Sequence, residues 1–224
     1  MLFRSSSAPG RDDVARVAGA QQFHVHPGES HGSPTLHPDH VHQAVSALRT
    51  AGAAAAGVTT LADIEADLQR RLNLISKWTQ PAYSSVNLCE DGAVEVMRTL
   101  LAAGIGIEAG VWSTADAQML ISSGLADKVT QVLVEPVGVS KANAVPLVDA
   151  IHEILDRADV QEPRLQHGDG EATWPLIEDA VRKGLDTRAG LEDTLNLPDG
   201  SPAQSNADLV NAARATGAAD SPAR

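Results

Sequence analysis

Short apolar stretches alternate along the chain with longer segments in which apolar residues recur every three or four positions. Val41, Val45 and Leu48 follow the second spacing, so they fall on one face of a helix predicted over residues 39–50. The stretch 105–111 is of the first kind, begins after Gly104 and is predicted as a buried strand. This alternation is typical of βαβ units, in which helices cover a parallel sheet.

The predicted units favour an α/β TIM (β/α)8-type barrel that lacks or alters its first strand. Seven strands are predicted, at 21–27, 54–60, 83–88, 105–111, 129–135, 164–167 and 185–189. Helices are predicted at 13–20, 39–50, 61–78, 93–103, 113–124, 142–157, 174–183 and 206–215. In the helix 142–157, Pro146 favours a start nearer Val145, because proline is common in the first turn of a helix. An open doubly wound sheet is the alternative, but the Gly-rich phosphate loop of its dinucleotide-binding form is missing.

Length and charge narrow the class of protein further. The 224 residues are predicted to form one domain, with irregular ends at 1–13 and 216–224. A net charge of −12 without any basic run argues against a nucleic-acid surface. The single cysteine, Cys89, excludes an internal disulfide framework. No segment approaches the roughly 20 apolar residues that span a bilayer, so a soluble cytoplasmic protein without a membrane partner is predicted.

The predicted strand ends carry the polar residues that point to chemistry, because the functional residues of a barrel lie there. His24 and His26 are two residues apart on a strand, so both imidazoles face the same way and can share a metal ion such as zinc. A carboxylate from Glu192, Glu108 or Glu135 completes a His₂Glu set in this interpretation. The alternative is a pair of ordinary histidines at the barrel mouth.

The stretch 184–193 concentrates charge, with Arg188 followed by Glu192 and Asp193 around a flexible Gly190. Such charges are costly inside a protein unless they are paired or bound to a ligand. Two interpretations remain open from spacing alone. Either these residues form part of a functional site, or they form a solvated turn with an ion pair to Arg188.

Seven segments of the chain resemble, in the same order, the β-keto acid cleavage enzymes, whose best-known member cleaves 3-keto-5-aminohexanoate. They are FHVHP (23–27), SSVNL (84–88), GIGIEAGVWSTADA (104–117), VLVEP (132–136), HGDGEATWP (167–175), GLDTRAGLEDTLNLPDG (184–200) and SNADLV (205–210). The resemblance implies a TIM barrel with one catalytic Zn²⁺. It also implies that a β-keto acid reacts with acetyl-CoA to give acetoacetate and a new acyl-CoA, and that the chain forms a homo-oligomer, a tetramer in the family.

Site residues follow from the same resemblance. It implies zinc ligation by His24, His26 and Glu192, and an activating charged pair of Arg188 and Asp193. In the family, the segments around Thr60 and Ser85 help to hold the substrate carboxylate. Asn87 is predicted to bind substrate with them, because Ser85 and Asn87 are two residues apart on a strand and face the same side. The alternative is that both belong to a hydrogen-bonded layer inside the barrel.

The chain departs from the family pattern at its start and after HVHP. Family members carry an Asn-Gly-Arg strand with a catalytic-side glutamate before HVHP, where this chain has MLFRSSSAPGRDD, and often an arginine where this chain has Gly28. A seven-stranded barrel would leave two unpaired edges. Two further functions are therefore kept: another metal-dependent TIM-barrel aldolase or hydrolase that works without acetyl-CoA, and a truncated non-catalytic barrel.

Overall fold

Eight parallel strands form one sheet in the computed structural model, which describes residues 2–5, 19–29 and 31–218. The strands are β1 (Leu2–Ser5), β2 (Gln22–Val25), β3 (Ala55–Thr59), β4 (Tyr83–Asn87), β5 (Gly106–Val111), β6 (Gln131–Val134), β7 (Arg164–Gln166) and β8 (Arg188–Ala189). Their order in the sheet is β7-β6-β5-β4-β3-β2-β1-β8. The predicted α/β barrel-type fold is confirmed.

The first strand of this fold is altered but present. Residues 2–5 pair in parallel with β2, with Arg4 opposite His24, and with β8, with Leu2 opposite Arg188. The prediction of an irregular arm over residues 1–13 is therefore wrong for Leu2–Ser5. Apolar alternation is too short there to signal a strand, and the pairing comes from neighbours distant in sequence. The predicted helix at 13–20 lies outside the described residues up to position 18.

The two ends of the strand order, β7 and β8, meet at a short seam. A single parallel bridge joins Leu165 to Asp186, and the Asp186 carbonyl accepts a hydrogen bond from the Gln166 backbone N–H at 2.9 Å. The predicted strand 185–189 is wrong in length, since only Arg188 and Ala189 pair as a strand, with β1. The bridge places Arg188 beside the ends of both β1 and β7.

The helices that cover the sheet lie at the predicted positions, and two of them differ in their bounds. They are α1 (Pro38–Thr50), α2 (Leu68–Ile75), α3 (Ala93–Ala102), α4 (Thr114–Ser122), α5 (Lys141–Arg157), α6 (Thr173–Lys183) and α7 (Asn206–Ala215). Caps fix several starts: Ser113 Oγ accepts from the Asp116 N–H, and Ser205 forms a capping box with Asp208. Within the described residues, no helix is long and apolar enough to cross a membrane.

Two helix boundaries differ from the prediction. The helix predicted over 61–78 is confined to α2, because Asp67 caps it by accepting a hydrogen bond from the Arg70 N–H at 2.9 Å. The helix predicted to start near Val145 starts at Lys141 with Pro146 inside it. The Ser140 carbonyl accepts from the N–H groups of Asn143 and Ala144, so the first turn closes before the proline.

Apolar side chains fill the space between the sheet and the helices. Val58, Val86, Ile107 and Val132 on the strands are buried in one hydrophobic cluster with residues of the helices, such as Leu100. The side chains on the other face of β4, β5 and β6 turn to the inside of the sheet. That inner face carries polar groups towards the strand ends. The close-packed core on the helix side holds the strands, and with them these polar groups, in fixed positions.

A polar network anchors β7 to the two helices α5 and α6. The Gln166 side chain is fully buried; its amide nitrogen donates to Asp179 Oδ2 at 2.8 Å, and His152 Nε2 lies 2.8 Å from its oxygen. Lys183 Nζ lies 2.6 Å from Asp179 Oδ2 and 2.6 Å from Asp149 Oδ1. Burial acts to raise the pKa of Asp179, but the hydrogen bonds from Lys183 and Gln166 outweigh it and lower that pKa.

We expect Asp179→Asn to lower the free energy of unfolding at pH 7 by about 2 kcal/mol, because it removes a charge-assisted hydrogen bond. A lowered folded-state pKa stabilises the protein above the unfolded value of about 3.9 and loses its effect as pH falls through the folded value. The difference between wild type and variant should therefore shrink as the pH is lowered below about 4. Urea unfolding between pH 3 and pH 7 measures it.

The matched control is Asp149→Asn, which removes a carboxylate that contacts the same Lys183 but is 56% exposed. Its effect should stay under about 1 kcal/mol, as is usual for exposed ion pairs. A difference for Asp179→Asn that does not change with pH would contradict the electrostatic account and indicate a loss of packing.

Candidate active site

The inner face of the sheet carries a buried charged centre built around Arg188. Its guanidinium is fully buried, with Nη1 3.4 Å from Glu108 Oε1 and Nη2 3.1 Å from Glu135 Oε1. Nη2 also lies 2.7 Å from His167 Nε2. Burial alone would lower the pKa of Arg188, but the carboxylates of Glu135 and Glu108 reverse this and raise it. Arg188 is thus a permanent cation in a water-poor site.

Strand register explains how residues so distant in sequence come together. Glu108 on β5 stands opposite Gln131 on β6 and opposite Ser85 on β4. The Gln131 amide donates to Glu108 Oε2, which leaves Oε1 directed towards Arg188. Burial raises the pKa of the Glu108 carboxyl, and the charge of Arg188 opposes that rise.

Glu108 also connects the centre to one of the predicted zinc ligands. Its Oε1 atom lies 3.9 Å from His24 Nδ1, and His24 is fully buried. His26 is half-buried, and its ring stands edge to face with that of His24 at a centroid distance of 5.4 Å. The two imidazoles therefore share one side of the strand end, as the spacing predicts.

The predicted pair of Arg188 and Asp193 is arranged around a third residue. His167 Nδ1 lies 3.9 Å from Asp193 Oδ2, while its Nε2 contacts Arg188. The Asp193 carboxylate is buried, whereas the side chain of the neighbouring Glu192 is exposed. A turn fixes this geometry, since the Asp193 N–H donates to the Gly190 carbonyl at 2.9 Å.

Within the described part of the chain, Glu135, His167 and Asp193 form a group able to hold a metal ion. Each offers one ligand atom, and these atoms lie within 4.8 Å of one another. The group includes neither His24 nor Glu192. Arg188 Nη2 lies 2.7 Å from His167 Nε2 and 3.1 Å from Glu135 Oε1, so its positive charge contacts two of the three residues.

The predicted substrate-binding residues lie together at the neighbouring strand ends. Thr60, Ser85 and Asn87 are all buried. The Thr60 hydroxyl donates to the Ser85 carbonyl at 2.7 Å, so its proton is already used. The Asn87 amide donates to Glu90 Oε1 at 2.9 Å.

Reasoning from the sequence did not assign site roles to His167 and Gln131, and it offered Glu108 and Glu135 only as possible metal ligands. The segment HGDGE at a strand end carried a usable signal for His167. Gln131 has no such signal, because only the pairing of β5 with β6 brings it to Glu108. The roles predicted for His24, His26, Glu192, Arg188 and Asp193 remain predictions.

Fold and site together define an α/β-barrel protein with a charged, metal-compatible centre at the carboxyl ends of its strands. The sequence model of the beta-keto acid cleavage enzymes matches residues 13–220. The chain belongs to that family. No curated protein sequence matches it.

Solved structures resemble this fold at low sequence identity. ObcA, as a binary complex with oxaloacetate and as a ternary complex with a C4-CoA adduct and oxalate, superposes with a TM-score of 0.72 and 14% identity. The match covers 92% of this chain and 61% of ObcA, so the chain spans about three-fifths of that protein's length. Thiamine phosphate pyrophosphorylase from Pyrococcus furiosus superposes with a TM-score of 0.59 and 12% identity over 96% of this chain and 93% of its own. These identities establish the similarity of fold alone.

Proposed function

We propose that the chain transfers the acyl part of a β-keto acid to CoA, consuming acetyl-CoA and releasing acetoacetate. The observation that carries the proposal is the family match, which spans residues 13–220 and includes every member of the charged centre. The ligands named for ObcA, a keto acid and a CoA adduct, are of the same chemical kinds.

The bonds balance without a further reactant. The carbon between the keto and carboxylate groups loses a proton and attacks the acetyl carbonyl, and the CoA thiolate leaves. That thiolate then attacks the original keto carbon. Cleavage of the carbon–carbon bond gives the new acyl-CoA, and the remaining carbon takes a proton to become acetoacetate.

The proposed zinc ligands are two imidazoles and a carboxylate, the donor types that leave a position for substrate in catalytic zinc sites. The two imidazoles face the same side of one strand end. A zinc ion held there would supply Lewis-acid chemistry to the keto oxygen. His24, His26 and Glu192 are the proposed ligands.

Asp193 is the proposed proton acceptor for the substrate carbon. Its buried Oδ2 lies 3.9 Å from His167 Nδ1, and His167 in turn contacts Arg188. The positive charge of Arg188 favours the ionised form of the Glu108 carboxylate and holds His167, which in turn lies beside Asp193. Arg188 and Asp193 thus act as the proposed pair through the imidazole.

The substrate carboxylate is proposed to bind at the ends of β3 and β4. Because the Thr60 hydroxyl already donates its hydrogen bond to the Ser85 carbonyl, the Ser85 hydroxyl and the second N–H of the Asn87 amide are the proposed donors to the substrate. Ser85 stands opposite Glu108 in register, which supports a carboxylate pocket beside the charged centre.

A screen of β-keto acids that differ in side chain, each with acetyl-CoA, tests the function. We expect acetoacetate and a matching acyl-CoA to form in equal amounts, and Asp193→Asn to abolish both. Turnover of the keto acid without acetyl-CoA would favour the metal-dependent aldolase or hydrolase. A lack of acetoacetate with every keto acid would overturn the proposal.

Assembly and location follow the same family expectation. We propose a homo-oligomer, a tetramer by resemblance, which light scattering on the purified chain tests. A cytoplasmic location remains a prediction from the sequence.

A further inference from the structure

The carboxylate of Glu90 joins two strand ends that carry the proposed substrate contacts. Its Oε2 atom accepts a hydrogen bond from the Ala62 backbone N–H at 2.9 Å, in the loop that follows Thr60. Its Oε1 atom accepts from Asn87 Nδ2 at 2.9 Å. One side chain therefore holds the loop after β3 and the last residue of β4 together.

Arg71 fixes Glu90 in this position from behind. Arg71 is only 2% exposed; its Nη1 lies 3.2 Å from Glu90 Oε2, and its Nη2 donates to the Asp91 carbonyl at 2.6 Å. Burying an arginine is costly unless its donors are used, so the pair holds a defined geometry. Within the charged centre described above, neither residue takes part.

Asn87 is confined from its other end as well. A Cβ atom built on Gly110 would stand 2.5 Å from Asn87 Oδ1, so a glycine is needed for the amide to lie as it does. Gly110 stands opposite Asn87 in the register of β4 and β5. The amide is thus held with its nitrogen towards Glu90 and its oxygen over Gly110.

We propose that Glu90 is a positioning residue, which orients the Asn87 amide for substrate and is itself held by Arg71. This role rests on the proposed function for its kinetic consequence, and on the contacts of Asn87 for its structural one. Glu90 does not touch the substrate; its effect on binding passes through Asn87.

Glu90→Gln tests the role because it keeps the shape and changes the hydrogen-bonding pattern. Ala62, Arg71 and Asn87 all donate to the two carboxylate oxygens. A glutamine amide has an oxygen that accepts and an NH₂ group that only donates. Whichever way the amide turns, its NH₂ group must face another donor. The Asn87 amide is expected to rotate away from residue 90.

We expect Glu90→Gln to raise KM for the β-keto acid about 10-fold, as the loss of one well-placed hydrogen bond does, while kcat changes far less. In the Asn87→Ala background, the same substitution should raise KM no further. Glu95→Gln is the matched control, since Glu95 is exposed on the next helix, and it should leave KM unchanged. An equal rise in KM with and without Asn87 would overturn the proposal.

Crystal structures of wild type and Glu90→Gln separate this role from the proposed function. Displacement of the Asn87 amide from residue 90 supports it even if no keto acid is turned over, and an unchanged amide overturns it. Gly110→Ala provides a second route to Asn87 that leaves Glu90 intact, should Glu90→Gln fold poorly. It should displace the amide and raise KM in the same way, and an unchanged KM and amide would overturn the proposal.

Discussion

His24→Ala is expected to remove stoichiometric zinc from the purified protein. We also expect it to lower kcat/KM by more than about 100-fold, because losing even a partner of a zinc ligand commonly costs 10–100-fold. Zinc content by mass spectrometry and acetoacetate formation measure the two effects. His26→Ala should behave alike, and as His26 is only half-buried, it disturbs the core less.

Comparison with His167→Ala decides between the two possible metal sites. If the ligands are His24, His26 and Glu192, His167→Ala keeps its zinc and loses activity through Arg188 and Asp193. Full zinc in His24→Ala together with loss in His167→Ala would assign the metal to Glu135, His167 and Asp193 instead. His31→Ala, an exposed histidine in a loop, is the control and should change neither zinc content nor rate.

Arg188→Met is expected to destabilise the fold by about 3–5 kcal/mol, because removing one partner of a buried ion pair leaves an uncompensated charge. Two carboxylates, Glu108 and Glu135, lose their cation at once. Urea unfolding at pH 7 measures the change. Arg188→Lys keeps a charge but loses the planar fork, so part of the stability and little of the activity should remain.

Arg157→Met is the matched control for this effect. Arg157 also pairs with a glutamate, Glu153, but their side chains are 72% and 61% exposed. Its loss should change the free energy of unfolding by no more than about 0.5 kcal/mol. A similar small value for Arg188→Met would refute the view that the buried guanidinium stabilises the centre.

Periodicity predicted most of this fold, because strands and helices alternate with clear apolar faces. It failed where tertiary contacts decide. The segment 61–67 has helical spacing, yet Asp67 caps the helix late and Glu90 holds the Ala62 N–H in a loop. Leu2–Ser5 is too short to show the apolar alternation of a strand. It forms a strand because it pairs with β2 on one side and β8 on the other.

The candidate site was predictable in part, because several of its polar residues lie at the ends of predicted strands. His24, Arg188 and Asp193 were singled out there, and the structure brings them into one centre around Glu108 and His167. Spacing alone could not tell that Asp193 turns inward while Glu192 is exposed. Nor could it show that His167 stands between Arg188 and Asp193, since that depends on the bridge between β7 and the segment before β8.

The place of β1 between β2 and β8 has a consequence for folding kinetics. Leu2 pairs with Arg188, so completing the sheet requires contact between segments separated by most of the chain. Loop-closure entropy makes such contacts late and slow. The strands from β2 to β7 each pair with a neighbour in sequence and can assemble first. The charged centre around Arg188 is then one of the last parts of the molecule to form. During refolding, activity should therefore return more slowly than secondary structure.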